Sequence, residues 1–103
     1  MLEGISDGAR IELRVDRNEV GRRSPAEGIE PEVDLGPYDR SGSVSRRHAV
    51  ILRDGPYVVL EDRGSSNGTF VNGQKLQAGL QKNLEDNDEI CFGSVAFRFY
   101  RKD

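Results

Sequence analysis

Three clusters in this 103-residue chain hold residue types that could act together on one ligand. Gly21-Arg22 follows Glu19-Val20. Ser45-Arg46-Arg47-His48 enters the apolar run Ala49 to Leu52. A third stretch, Gly64 to Gly73, contains Ser65-Ser66-Asn67-Gly68-Thr69. Together they offer guanidinium groups, hydroxyls, a side-chain amide and Gly-rich backbone. A phosphate ester carries about −1.5 to −2 charges and three strong acceptor oxygens. One guanidinium can donate to two of those oxygens at once. Serine hydroxyls and open N–H groups in Gly-rich turns complete such a shell. An asparagine amide donates and accepts, so it can pair with a peptide main chain of any sequence. Anion and peptide backbone together describe a phosphopeptide.

Each cluster alone also has a plainer reading. Gly21-Arg22 reads as a turn beside a solvated arginine. Ser66-Asn67-Gly68 reads as a common turn. Arg47 reads as a strand residue on a wet face, and His48 as a structural histidine bonding loop backbone. A nucleophilic triad of Ser45, His48 and an acid such as Asp62 is disfavoured. Ser45 and His48 are near neighbours at a strand mouth without a nucleophile-elbow pattern, and two arginines lie between them. No catalytic residue is assigned. One His and one Cys cannot build a zinc site, so no metal or cofactor is expected.

These clusters must be held by strands, because no convincing helical periodicity appears. Ile11, Leu13 and Val15 alternate with Glu12 and Arg14, which predicts a half-buried strand. Ala49 to Leu52 and Tyr57 to Leu60 are joined by Asp54-Gly55-Pro56, a hairpin signal. Asn72-Gly73 between Thr69 to Val71 and Gln74 to Leu76 is a stronger one, since that turn needs positive φ at both central residues. Gly93-Ser94 joins Glu89 to Phe92 with Val95 to Tyr100, where Val95, Phe97 and Phe99 alternate with Ala96, Arg98 and Tyr100. From Arg23 to Ser43 the chain reads as a long surface loop system in which only Val33 to Leu35 suits a strand. Many short strands with frequent turns predict an all-β fold, a two-sheet antiparallel β-sandwich with long functional loops at one end. The length predicts one domain over 1–103.

The formal net charge of −3 argues against a nucleic-acid partner, although five arginines (Arg22, Arg23, Arg40, Arg46 and Arg47) gather in the first half. No apolar stretch reaches membrane-spanning length and no signal-peptide pattern opens the chain, so no membrane association is expected. The single cysteine, Cys91, excludes an internal disulfide and reads as a buried small hydrophobe between Ile90 and Phe92. A cytoplasmic location is expected, within a larger protein or alone.

The order Gly-Arg, then Ser-x-x-His, then Ser-x-Asn-Gly-Thr, then a terminal apolar-Phe-Gly resembles a forkhead-associated (FHA) domain. The resemblance runs from about Ile11 to Tyr100. It implies a β-sandwich signalling module whose loops at one end bind a threonine-phosphorylated protein or peptide. It implies phosphate contacts from Arg22, Ser45, Arg46 and Ser66, and a grip on the peptide main chain by Asn67. It implies that His48 bonds loop backbone and shapes the site, and that Gly21 and Gly68 let the loops turn. Phosphothreonine rather than phosphoserine is implied by the family alone, since burying one methyl is worth only about 0.8 kcal/mol. The short N-terminus leaves the first strand truncated or poorly paired by this comparison. Ser43, two residues before Ser45, provides no strong charge selection. The alternative is a domain of the same fold that docks partners without phosphate, through another face.

Overall fold

The structure, a computed structural model, describes residues 1–101. Among them eleven strands form two sheets: β1 (Leu2–Gly4), β2 (Arg10–Ile11), β3 (Arg17–Gly21), β4 (Val33–Asp34), β5 (Ala49–Asp54), β6 (Tyr57–Asp62), β7 (Thr69–Val71), β8 (Gln74–Lys75), β9 (Gln81–Asn83), β10 (Glu89–Phe92) and β11 (Val95–Phe99). One sheet has the order β2-β1-β11-β10-β7-β8, and the other β4-β3-β5-β6-β9. The β-sandwich expected from the strand pattern is the fold observed. One pair departs from the antiparallel expectation, because β4 runs parallel to β3, with Val20 opposite Val33. The long Arg22 to Glu32 connection gives the chain enough length to cross back.

The alternating positions of β10 and β11 supply the centre of the core. Ile90, Phe92, Val95, Phe97 and Phe99 face inward against Leu2, Val20, Val33, Leu35, Ile51 and Leu60. Phe92 and Phe97 meet edge to face at 6.3 Å, and Tyr38 from the loop system packs on Phe97 at 6.0 Å. Each buried Phe contributes on the order of 1.5–3 kcal/mol by removal from water. Cys91 points the other way, between Phe70 on β7 and Ala96 on β11, and is only partly buried. It is therefore not the core residue expected. Its thiol is held above the ordinary range by burial and by the Glu89 charge, which disfavours the reactive thiolate.

The hairpin signals fold as read. Asn72 (φ +50) and Gly73 (φ +83) both take positive φ in the turn from Val71 to Gln74. The Ile11 to Val15 alternation does not continue as a strand. β2 ends at Ile11, Leu13 is buried, and Val15 is 46% exposed. The physical reason is a change of sheet: residues 12–16 carry the chain from one layer to the other. Buried Asn18 anchors that corner by donating its amide to the Val15 and Ile51 carbonyls. The first strand is neither lost nor unpaired, since β1 lies between β11 and β2 with Leu2 opposite Phe99. The loop system holds two single 3-10 turns, Pro25–Glu27 and Gly36–Tyr38, each with a Pro at its first or second position.

Antiparallel register brings several loops to one end. Ala49 starts β5 opposite Val20 near the end of β3 and Asp62 at the end of β6, and Thr69 starts β7 opposite Phe92. The β3–β4, β4–β5, β6–β7 and β10–β11 connections therefore emerge together.

Candidate functional site

Gly21 and Arg22 are held by main chain. The Arg22 N–H is shared between the Ser45 and Arg46 carbonyls at 3.2 Å each, and Leu35 N–H donates to the Gly21 carbonyl. A Cβ on Gly21 would lie 1.9 Å from the Arg46 carbonyl oxygen. Glycine is required here for close approach inside a strand, not for the turn expected from the sequence. Asp34 accepts from the Arg23 and Gly36 N–H groups and fastens the other side of the strand end. The exposed Arg22 side chain passes beside Gly36. Among the described residues the Arg22 guanidinium has no ion-pair partner. Its neighbours do: Arg23 meets Glu30 at 3.4 Å and Arg46 meets Glu27 at 3.0 Å.

His48 is fully buried and ties two loops. The Ser45 N–H donates to its Nδ1 at 3.0 Å, so Nε2 carries the proton and donates to the Gly68 carbonyl at 2.9 Å. Its ring stands edge-on to Phe92 at 5.9 Å, which couples the loops to the core. Burial pushes the imidazole below its ordinary pKa, outweighing the Gly68 carbonyl and the Asp62 and Asp39 charges that favour the cation. Protonating Nδ1 would also destroy its acceptor role.

The Ser45 side chain makes a separate contact. Its hydroxyl oxygen accepts the Ser66 N–H at 3.1 Å, so its own proton remains available to an incoming acceptor. His48 thus addresses the Ser45 backbone and not its hydroxyl. Asp62 is spent elsewhere, and the triad weighed from the sequence is not assembled among these bonds.

Asp62 is the residue whose role the sequence did not disclose. Its buried carboxylate accepts four hydrogen bonds. The Ser65 hydroxyl (2.5 Å) and Thr69 hydroxyl (2.7 Å) reach Oδ1, and the Gly64 and Ser65 N–H groups reach Oδ2. Burial alone would raise its pKa, but these donors hold the carboxyl below its usual range. Ser65 passes the order on by accepting the Gly68 N–H. Gly68 itself sits at φ +88, as a turn glycine should. The available signal was an Asp at a strand end two to three residues before Gly and Ser, the local pattern of a side-chain-capped turn.

Asn67 is exposed and donates its amide to the Ser43 carbonyl at 2.9 Å. Its carbonyl oxygen and second amide proton remain for another chain. Ser43 is fixed in turn by Asp39, which accepts from the Ser43 N–H, the Ser43 hydroxyl and the Val44 N–H. These bonds outweigh burial and lower the Asp39 pKa. So Arg22, Ser45, Ser66 and Asn67 lie on loops laced directly to one another. Arg46 lies on the same segment, with its side chain already turned to Glu27.

A β-sandwich with Gly-Arg, Ser-x-x-His and Ser-x-Asn-Gly gathered on connected loops defines a phosphopeptide-module architecture. The family model described as FHA domain matches residues 18–93, and this chain belongs to that family. Protein FraH of Nostoc sp. is 36% identical over 101 residues, covering 95% of this chain and 35% of FraH. The chain thus spans about a third of that relative. A solved structure of Mycobacterium tuberculosis EmbR in complex with a low-affinity phosphopeptide superposes with TM-score 0.80 at 29% identity, covering 96% of this chain and 23% of that one. A structure from a study of phosphothreonine-dependent FHA domain interactions gives TM-score 0.77 at 29% identity, covering 99% and 95%. Among the described residues no helix is long and apolar enough to cross a membrane.

Proposed function

We propose that this domain binds a threonine-phosphorylated protein or peptide and acts as a signalling adaptor without catalysing a reaction. The observation that carries the reading is the seat between loops. An unpaired Arg22 guanidinium stands on a strand end bonded to the Ser45 carbonyl, while the Ser45 hydroxyl is fixed by Ser66 with its proton available. Arg22 provides the bidentate phosphate contact, with Ser45, Arg46 and Ser66 completing the shell. Asn67 holds the peptide main chain. Gly21, His48 and Gly68 support the loops and touch no ligand. No metal or cofactor has a part in this chemistry. The chain's one threonine, Thr69, is buried and bonded to Asp62, so the phosphothreonine comes from outside this sequence. Cytoplasmic placement goes with this reading, since the phosphorylated partner must meet the domain there.

The test is a calorimetric titration with one peptide in three forms, selected from a degenerate library with a fixed phosphothreonine. The phosphothreonine form should bind best, the phosphoserine form more weakly and the unmodified form not measurably. Equal binding of the phosphorylated and unmodified forms would instead support phosphate-independent docking through another face. Hydrolysis of the phosphopeptide on long incubation would restore the enzyme reading.

A further inference from the structure

The β3–β4 loop does more than connect strands. Ser24 and Ile29 exchange both main-chain hydrogen bonds, at 2.9 and 3.0 Å, and close the loop into a small hairpin. Inside it Pro25 starts a 3-10 turn, and Gly28 ends it in the left-handed region at φ +70. Glu27 is the last residue of that turn. Its Oε1 accepts from the Ser24 hydroxyl at 3.1 Å and meets Arg46 Nε at 3.0 Å. The carboxylate is thus presented by a preorganised loop, fixed at its own base, to an arginine of the phosphate shell.

We infer that Glu27 is a built-in competitor for the phosphate at Arg46, and so limits how tightly the site holds an anion. This inference rests on the phosphothreonine reading above. A phosphate reaching Arg46 must displace the carboxylate, and the displaced carboxylate then repels the dianion from close range. Weak anions such as an acidic side chain gain too little at Arg46 to displace it, whereas a phosphate also held by Arg22 gains enough. Glu27 therefore lowers affinity for every anion, and it costs a dianion at least as much as a singly charged one, so it acts as a brake on affinity. Both partners are about half exposed (50% and 49%), so water screens the pair and the effect is a few-fold, not orders of magnitude.

The experiment compares the intact chain with Glu27→Gln, Arg46→Ala and the double variant. The probes are the selected phosphothreonine peptide, its unmodified form, and a form with Glu in place of phosphothreonine. Glu27→Gln should bind the phosphopeptide about two- to fivefold more tightly. It should bring weak binding of the Glu peptide into range. Most of the gain should vanish in the Arg46→Ala background. The Arg46 Nε–H resonance should move in Glu27→Gln without any ligand. Unchanged or weaker phosphopeptide binding by Glu27→Gln, with wild-type binding intact, would overturn the competitor role and leave the phosphothreonine reading standing. Failure of every variant to prefer the phosphorylated peptide would overturn both.

Discussion

The two ends of the sandwich are joined by different kinds of connection. At the far end two of the links are two-residue turns set by backbone conformation. Gly55 and Pro56 close β5 onto β6, and Asn72 and Gly73 close β7 onto β8 with positive φ at both positions. At the near end all but the two-residue β10–β11 turn are longer loops, tied by side chains to main chain. His48 spans Ser45 and Gly68, Asp62 gathers Gly64, Ser65 and Thr69, and Asp39 gathers Ser43 and Val44. The far end needs only a chain reversal. The near end must hold polar groups from three loops at fixed separations, and backbone geometry alone cannot do that. Function and stability are therefore coupled at one end and separate at the other.

The sharpest way to break this comparison is Arg22→Ala. The main-chain bonds of residue 22 do the structural work, so the variant should fold with wild-type stability. Phosphopeptide affinity should fall by about 2–5 kcal/mol, roughly thirtyfold or more by calorimetry. Retained binding would remove Arg22 from the site.

His48→Ala should damage both properties. It leaves the Ser45 N–H without its partner, removes one of two donors to the Gly68 carbonyl and opens a void against Phe92. Denaturant unfolding should show a loss of roughly 2–4 kcal/mol, and binding should weaken with it. A variant that keeps full stability would contradict the structural role.

The same residue predicts a pH response. His48 has its folded pKa lowered by burial, so the unfolded chain takes up a proton first as pH falls below about 6.5. Its contribution is fully present above that value and is lost as pH falls towards the folded pKa. Asp39 and Asp62 are also lowered, but their losses begin only near the carboxylate range, about pH 4 and below. Unfolding free energy without ligand should therefore decline between pH 6.5 and 5, and this slope should flatten in His48→Asn. Measuring without peptide matters, since the phosphate itself gains a proton near pH 6.

The smallest effect is reserved for the far end. Gly73→Ala strains a residue at φ +83 and should cost about 1–2 kcal/mol of stability. Phosphopeptide affinity should not change. A parallel loss of affinity would mean that the two ends are not separable.

Much of this was legible in the sequence for physical reasons. Phe97, Phe99, Ile90 and Phe92 carry the period-2 pattern because one sheet face is buried. Asn72-Gly73 reads as a hairpin because few other pairs tolerate its dihedrals. Arg22, Ser45, Ser66 and Asn67 lay in clusters of guanidinium, hydroxyl and amide groups, each of which alone had a plainer reading. Their separate roles came only from the motif order that resembles the FHA family. What escaped notice lacked such signatures. β9, Gln81 to Asn83, is exposed on all three residues and joins β6 by backbone bonds alone. β3 hides its strand character because buried Asn18 breaks the apolar alternation. Asp62 and Asp39 are single acids in a chain with 18, and only the folded loops show what each accepts. Glu27 has no signature in the sequence, and only the Ser24–Ile29 closure sets it against Arg46.

The most direct test maps the amide resonances of the whole chain during titration with the selected phosphothreonine peptide and its unmodified form. Shifts should be confined to residues 21–29, 43–48 and 64–68, with Ser66 and Asn67 among the largest, and should appear only for the phosphorylated form. Equal shifts with both peptides, or shifts centred on the Asn72-Gly73 end, would contradict phosphate-dependent binding at the near end.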